Sequence, residues 1–280
     1  MKKIIVPVDF SDTSLAAYFF AVELAKKFEA SIDVVHIYDG SINTNQGLTF
    51  ELMQTKEGSI LNQLQQFINI APDEGGTQVA VNVNCKTYLA YNTSARICKL
   101  SADYDLIIMG MTGKHALEKK LLGSIASYVG QHAECPVLIV PRNYQYKGLH
   151  NIVYARNWES MNEVALRSVV ELAKVFQSAI HFVHVNEELS IMDFAITEQA
   201  TLAELLAEDA PAVAYQIVNV DSSSPKQGIE DYAQDKEADL IVLVNRQHSF
   251  IDNLFKRSMT KEMALHSKVP LLIYHARKSY

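Results

Sequence analysis

Asp105-Leu106-Ile107-Ile108-Met109-Gly110-Met111-Thr112-Gly113 passes from an unbroken apolar run into a glycine-bearing turn. A run that is apolar at every position, without polar alternation, marks a strand buried on both faces. Such strands belong to parallel sheets that carry helices on either side. The pattern extends outward from there. Thr93–Ala102 precedes it with helical apolar spacing, and Ser124–Ala133 follows as a helix before the short strand Val137–Val140. Towards the N-terminus, Lys3–Val8 reads as a strand and Ser14–Phe28 as a helix behind the capping candidates Ser11 to Ser14. Ile32–Ile37 is a second strand, Phe50–Ile70 a helix, and Val79–Cys85 alternates as an edge strand does. The order is βαβαβαβαβ.

The same order occurs twice. Displaced by 148 residues, Val22-Glu23-Leu24-Ala25-Lys26 falls on Val170-Glu171-Leu172-Ala173-Lys174, and Ile32, Val35 and His36 fall on Ile180, Val183 and His184. Displaced by 134, Asp105-Leu106-Ile107 falls on Asp239-Leu240-Ile241, and Ser124 and Pro136 fall on Ser258 and Pro270. The second copy is therefore 148 − 134 = 14 residues shorter, with the loss between the two blocks. Its strands are expected near Ile152–Ala155, Ile180–Val185, Ala214–Val220, Leu240–Val244 and Leu271–Tyr274. The fold class is α/β: two tandem, doubly wound, Rossmann-like domains, 1–142 and 150–280, each on a five-stranded parallel sheet.

Composition narrows the function. The 280 residues are 49% hydrophobic and 20% charged, with a net charge of −7. Residues 1–146 hold 12 basic against 14 acidic side chains, and residues 147–280 hold 13 against 18. Neither half offers the basic footprint of a nucleic-acid binder. No stretch approaches the roughly 18 apolar residues of a membrane span. The start reaches Asp9 too early for a signal peptide, so the expectation is a cytoplasmic protein with no membrane partner. Cys85, Cys98 and Cys135 are too scattered for a disulfide framework or a zinc site. The nine histidines form no metal-ligating pair, and no GxSxG elbow occurs. Asn82-Val83-Asn84-Cys85-Lys86 lacks the phosphoacceptor aspartate of a receiver domain.

One motif carries chemistry. Gly110, Gly113, Gly123 and Ser124 spell Gly-x2-Gly-x9-Gly-Ser, in a chain with only 11 glycines. Gly110 and Gly113 would let the main chain approach a ligand without an intervening Cβ. Gly123-Ser124 would open a helix, where free amides and the dipole favour an anion. A strand, a glycine loop and a helix start together suit phosphates. The pattern is neither a Walker A loop nor GxGxxG.

This pattern, the opening Ile4-Ile5-Val6-Pro7-Val8-Asp9 and the ending Cys135-Pro136-Val137-Leu138-Ile139-Val140-Pro141 resemble the universal stress protein (UspA) family. The resemblance covers 1–142 and, more diverged, 150–275, as in a tandem member. It implies an ATP-binding stress-response protein, since family domains with this glycine pattern bind ATP. By position it places Pro7, Val8 and Asp9 on the adenine and ribose side and Ile37 against adenine. Met109 and Gly110 would line the ribose, and Gly113, Gly123, Ser124, Ile125 and Ala126 would hold the phosphates of ATP with Mg2+. Asp9 also reads as a solvated strand end beside a helix start. Lys114, Lys119 and Lys120 read as surface lysines that could add charge near the phosphates.

The second copy departs from the motif. Val244, Gln247 and Arg257 replace its glycines and only Ser258 is retained, while Ala155, Arg156 and Asn157 replace Pro7, Val8 and Asp9. A structural second domain is expected, with Trp158 packing where Phe10 stands. Arg156, Arg246, Lys256 and Arg257 leave an anion site there as the lesser alternative. His36 and His184 are expected to be structural. Beside ATP-binding regulation, a weak ATPase using the same pocket and a partner-binding module without nucleotide stay open. No base beyond Asp9 is placed to activate water. Val137–Val140 and Leu271–Tyr274 would be bare sheet edges. The resemblance implies that they pair as an intramolecular pseudo-dimer, and it leaves homodimer formation open.

Overall fold

A computed structural model describes residues 1–39, 50–70, 81–112, 123–155, 163–186, 213–245 and 268–275. These residues fall into two compact units, the first of residues 1–146 with Lys268 and the second of residues 147–245 with 269–275. The first contains β1 (Lys3–Pro7), α1 (Asp12–Phe28), β2 (Ser31–Tyr38), α2 (Phe50–Ile68), β3 (Val83–Leu89), α3 (Thr93–Leu100), β4 (Leu106–Gly110), α4 (Ser124–His132) and β5 (Val137–Val140). Its strands lie in the order β3-β2-β1-β4-β5, every pairing parallel. The second contains β6 (Asn151–Ala155), α5 (Glu163–Phe176), β7 (Ala179–Asn186), β8 (Tyr215–Asp221), α6 (Pro225–Asp235), β9 (Leu240–Asn245) and β10 (Leu271–His275). Its order is β8-β7-β6-β9-β10, again parallel. Among the described residues no helix is long and apolar enough to cross a membrane.

Helix α1 shows how the local sequence sets an element. Ala17, Phe20, Ala21, Leu24 and Ala25 recur at helical spacing, and all five are buried. Ser11 caps the start by accepting the Ser14 N–H at 3.2 Å. Glu29 ends it in the left-handed conformation (φ 51°), and its counterpart Gln177 ends α5 the same way (φ 57°).

The register carries the repeat into three dimensions. Lys3 pairs with Ser31 and Asn151 with Ala179, while Ile5 pairs with Ile107 and Val153 with Ile241. Asp105 accepts the Lys2 and Lys3 N–H groups at 2.6 and 3.0 Å, and Asp239 accepts those of His150 and Asn151 at 2.6 and 2.9 Å. Between those blocks the displacement is 132, since Asp33 pairs with Asn84 and His181 with Gln216. The second copy thus drops 148 − 132 = 16 residues before β8 and regains 134 − 132 = 2 before β9.

Strand β3 starts later than the alternation of Val79–Cys85 suggests. It runs Val83–Leu89, and residues 71–80 lie outside those described. Its register with β2 opens where Ile32 meets Val83, and just before that pair the Asn82 carbonyl accepts the Ile32 N–H at 2.8 Å.

A buried polar cluster supports one face of this sheet. Asp33, 2% exposed, accepts Lys86 Nζ and Tyr104 OH at 2.6 Å each and Asn84 Nδ2 at 3.0 Å. Burial raises its pKa, yet these donors outweigh burial and hold the carboxyl below its ordinary value. The repeat puts His181 at this position, with its Nδ1 2.9 Å from Tyr232 OH and Gln216 alongside. Burial and the nearby Lys236 lower the pKa of His181.

Candidate functional site

The chain leaves β1 through a tightly held turn. Pro7 is buried at the strand end, and Val8, also buried, donates its N–H to Val35 O at 2.8 Å. Val8 O lies 2.8 Å from His36 Nδ1. Asp9 is half-buried, and its Oδ1 accepts the Ser11 N–H at 3.2 Å and the Ser11 hydroxyl at 2.6 Å. That hydroxyl is the one that caps α1, so Asp9 is tied to the helix start. Phe10 adopts a left-handed φ of 62°, which costs a non-glycine residue about 1–2 kcal/mol. Its ring packs 4.7 Å from His36 and edge-on to Phe67 at 5.9 Å, contacts that hold the turn.

The end of β4 meets the same helix start. A Cβ at Gly110 would lie 2.8 Å from Thr13 Cγ2 and 3.0 Å from the Thr13 carbonyl carbon and oxygen. The space that the motif seemed to keep for a ligand is filled at this position by the first turn of α1. Gly110 is glycine because helix and strand touch there, a reason that spacing does not disclose.

Beyond β4 the chain returns to the strand end. Met111 donates to Val140 O at 2.8 Å and accepts the Gly123 N–H, also at 2.8 Å. That second bond joins the two ends of the intervening loop. Gly113, Lys114, Lys119 and Lys120 lie outside the described residues. Gly123 is the N-cap of α4, with φ −58° and no side-chain cap. The first intrahelical bond runs from Ser127 to Gly123 O at 2.9 Å, so the N–H groups of Ser124, Ile125 and Ala126 have no intrahelical acceptor. Ser124 is exposed, Ile125 is 40% exposed, and Ala126 is buried.

These pieces converge at one place. Strand order reverses between β1 and β4, which lie side by side through Ile4–Leu106 and Ile5–Ile107. Ligands of doubly wound sheets bind outside the carboxyl ends of the strands at such a switch. Pro7, Val8 and Asp9 approach it from β1, Met109 and Gly110 from β4, and Gly123, Ser124, Ile125 and Ala126 from α4. Ile37 stands two residues beyond Val35, the β2 partner of Pro7, and is buried. Its own partner is Tyr88 on β3. Chemically, the place offers amides without an intrahelical acceptor at a positive helix end, together with the Asp9 carboxylate and apolar strand ends.

The sequence singled out neither Thr13 nor Arg96, and assigned His36 no more than a structural place. Arg96 on α3 lies 4.6 Å over the Tyr88 ring, and its Nε is buried without a hydrogen-bond partner among the described residues. Nothing in its spacing signals this. The alignment of the helix caps of the two copies would have drawn attention to it.

In the second unit, β6 ends at Ala155 and β9 carries Val244 at the Gly110 position. Arg156, Asn157, Trp158, Arg246, Gln247, Lys256, Arg257 and Ser258 lie outside the described residues. The thiols look inert: burial pushes Cys98 up to about 11 and Cys135 up to about 12.

Comparison with known proteins bears on the family and the fold. The sequence model of the universal stress protein family matches residues 1–141 and again 149–275. A universal stress protein of Methanocaldococcus jannaschii is 31% identical over 147 residues, covering 50% of this chain and 82% of the relative. One from Bacillus subtilis is 28% identical over 145 residues, covering 50% of this chain and 98% of the relative. The crystal structure of a universal stress protein from Archaeoglobus fulgidus superposes with a TM-score of 0.69. It covers 99% of this chain and 97% of its own at 18% identity, a likeness of fold.

Proposed function

This chain belongs to the universal stress protein family, and from that premise we propose that residues 1–142 form an ATP-binding regulatory domain. Residues 150–280 then form a structural second domain that holds no nucleotide. Pro7, Val8, Asp9 and Ile37 face the nucleoside, Met109 and Gly110 line the ribose, and Gly113, Gly123, Ser124, Ile125 and Ala126 take the phosphates. The observation that carries this reading is the 2.8 Å bond from Gly123 N–H to Met111 O. It supports the reading by holding a helix start without a side-chain cap, with its amides and positive dipole end, beside the end of β4.

A magnesium ion on a nucleotide usually takes only one or two protein carboxylates beside the phosphates. Asp9 would serve either the ribose or such an ion, and the ion would neutralise phosphate charge. No group of three or more His, Cys, Asp or Glu suited to a metal occurs among the described residues, and a nucleotide-borne ion needs none. Asn157 in place of Asp9 and Arg257 in place of Gly123 support the asymmetry between the two domains. The role is that of a cytoplasmic regulator in the stress response, with ATP as its ligand and no nucleic acid among its partners.

The test is to denature the purified full chain and identify released small molecules by mass spectrometry, then to titrate ligand-free protein with ATP and Mg2+ by calorimetry. The expected result is adenine nucleotide in the extract and one site per chain. No nucleotide and no binding heat up to millimolar ATP would refute the function. Two equal sites would refute the division of labour.

A further inference from the structure

Alternation along β2 and β3 puts Asp33, Val35 and Ile37 on one sheet face beside Asn84, Lys86 and Tyr88. Helix α3 covers that face, since the Arg96 guanidinium lies 4.6 Å over the Tyr88 ring. Tyr88 is the direct partner of Ile37, the residue assigned above to the nucleoside. Arg96 therefore holds a cation over the strand next to Ile37, and its buried Nε lacks a hydrogen-bond partner among the described residues. A buried donor of a charged group left without an acceptor is costly, and an incoming acceptor would relieve that cost.

The second domain repeats this helix without the arginine. Asn92 caps α3 and Ser224 caps α6, and four residues on, the Arg96 and Gly228 N–H groups bond back to those cap carbonyls at 3.0 Å each. Gly228 thus stands where Arg96 stands. There the helix closes onto the strand: a Cβ on Gly228 would meet Val185 Cγ1 at 2.9 Å and Ser222 Cβ at 3.0 Å. Val185 is the counterpart of Ile37, 148 residues on. At this helix position main chain lies against the second strand in one domain, and in the other the residue sends a cation with an unused donor over Tyr88.

We propose that Arg96 is a further binding residue of the first domain, donating from its guanidinium to a ring-nitrogen acceptor on the nucleotide base. Tyr88 holds the guanidinium plane by stacking. The assignment rests on the nucleotide reading above and adds to it the residue that senses the base. It also gives a second reason why the repeat lacks a site: the helix has closed over the base position.

The test uses the full chain and two ligands, ATP and inorganic tripolyphosphate, which has phosphates but no base. Arg96→Met keeps an apolar stem over Tyr88 and removes every donor. It should weaken ATP about tenfold or more, leave tripolyphosphate affinity unchanged, and melt as the wild type does. Arg96→Lys keeps the charge without the planar fork and should show the same ATP-only loss, at smaller size. It also serves as the measurement if the methionine variant folds poorly. Unchanged ATP affinity in either folded variant would overturn the proposal, as would an equal loss for both ligands. A wild-type chain that binds neither ligand would overturn the nucleotide reading itself, and this proposal with it.

Discussion

Gly110→Ala separates the two purposes a glycine can serve at the end of β4. The added methyl would sit 2.8 Å from Thr13 Cγ2 and 3.0 Å from the Thr13 carbonyl carbon and oxygen. Carbon atoms prefer about 3.5–4.0 Å, so something must move by more than half an ångström. Thr13 is 3% exposed, and its main chain belongs to the first turn of a capped helix, so rotating its side chain relieves only one of the three contacts. Overpacking of this kind costs about 1–3 kcal/mol. Gly110 lies outside the left-handed region, so alanine adds no backbone strain there. Alanine also restricts the unfolded chain, returning about 0.4–1 kcal/mol. The net expectation is a loss of about 1–2 kcal/mol, read as a lower urea midpoint at unchanged slope. In a Thr13→Ser background, which lacks Cγ2, part of that loss should disappear while the main-chain contacts keep the rest. A Gly110→Ala variant within about 0.5 kcal/mol of wild type would refute the packing argument. If that stable variant also lost ATP, the glycine would be serving the ligand instead.

Other perturbations have equally definite outcomes. Asp9→Ala should weaken ATP at least tenfold while costing less than about 1 kcal/mol, because Ser11 keeps its own cap to Ser14; calorimetry and melting in parallel report the two effects. Asp33→Ala should destabilise the first domain by roughly 3 kcal/mol at neutral pH, since Lys86, Tyr104 and Asn84 all lose their acceptor. The folded pKa of Asp33 lies below its unfolded value of about 3.9, so its contribution is complete above that value and is lost as pH falls through the folded one. Acid titration of stability should therefore be shallower in Asp33→Asn than in wild type, and equal slopes would contradict the assignment. Cys98 and Cys135 should react with a thiol reagent at pH 8 only after urea is added, because burial holds both thiols protonated. Fast labelling of both in the native chain would show the opposite.

The duplication, the α/β class and nearly every strand were legible in the sequence. Unbroken apolar runs such as Leu106–Met109 and spaced apolar faces such as that of α1 are local patterns that report burial directly. The cap at Ser11 follows from side-chain chemistry within three residues of the helix start. The glycine-serine spacing pointed to the loop after β4, because helix amides and backbone turns are also short-range properties. What the sequence could not show is where a remote element comes to rest. Alternation over Val79–Cys85 reads two faces from one segment, whereas the register of β3 with β2, from Val83 to Leu89, is fixed between segments some fifty residues apart. The place of Gly110 against Thr13 depends on how α1 lies across β4, and its two residues are 97 positions apart (110 − 13). Arg96 and Gly228 differ in meaning only because one helix stands above Tyr88 while the other has settled onto Val185. Residue type sets which contacts are affordable; the packing of helices on the sheet decides which of them are made, because close-packed neighbours leave room for one arrangement and exclude the rest.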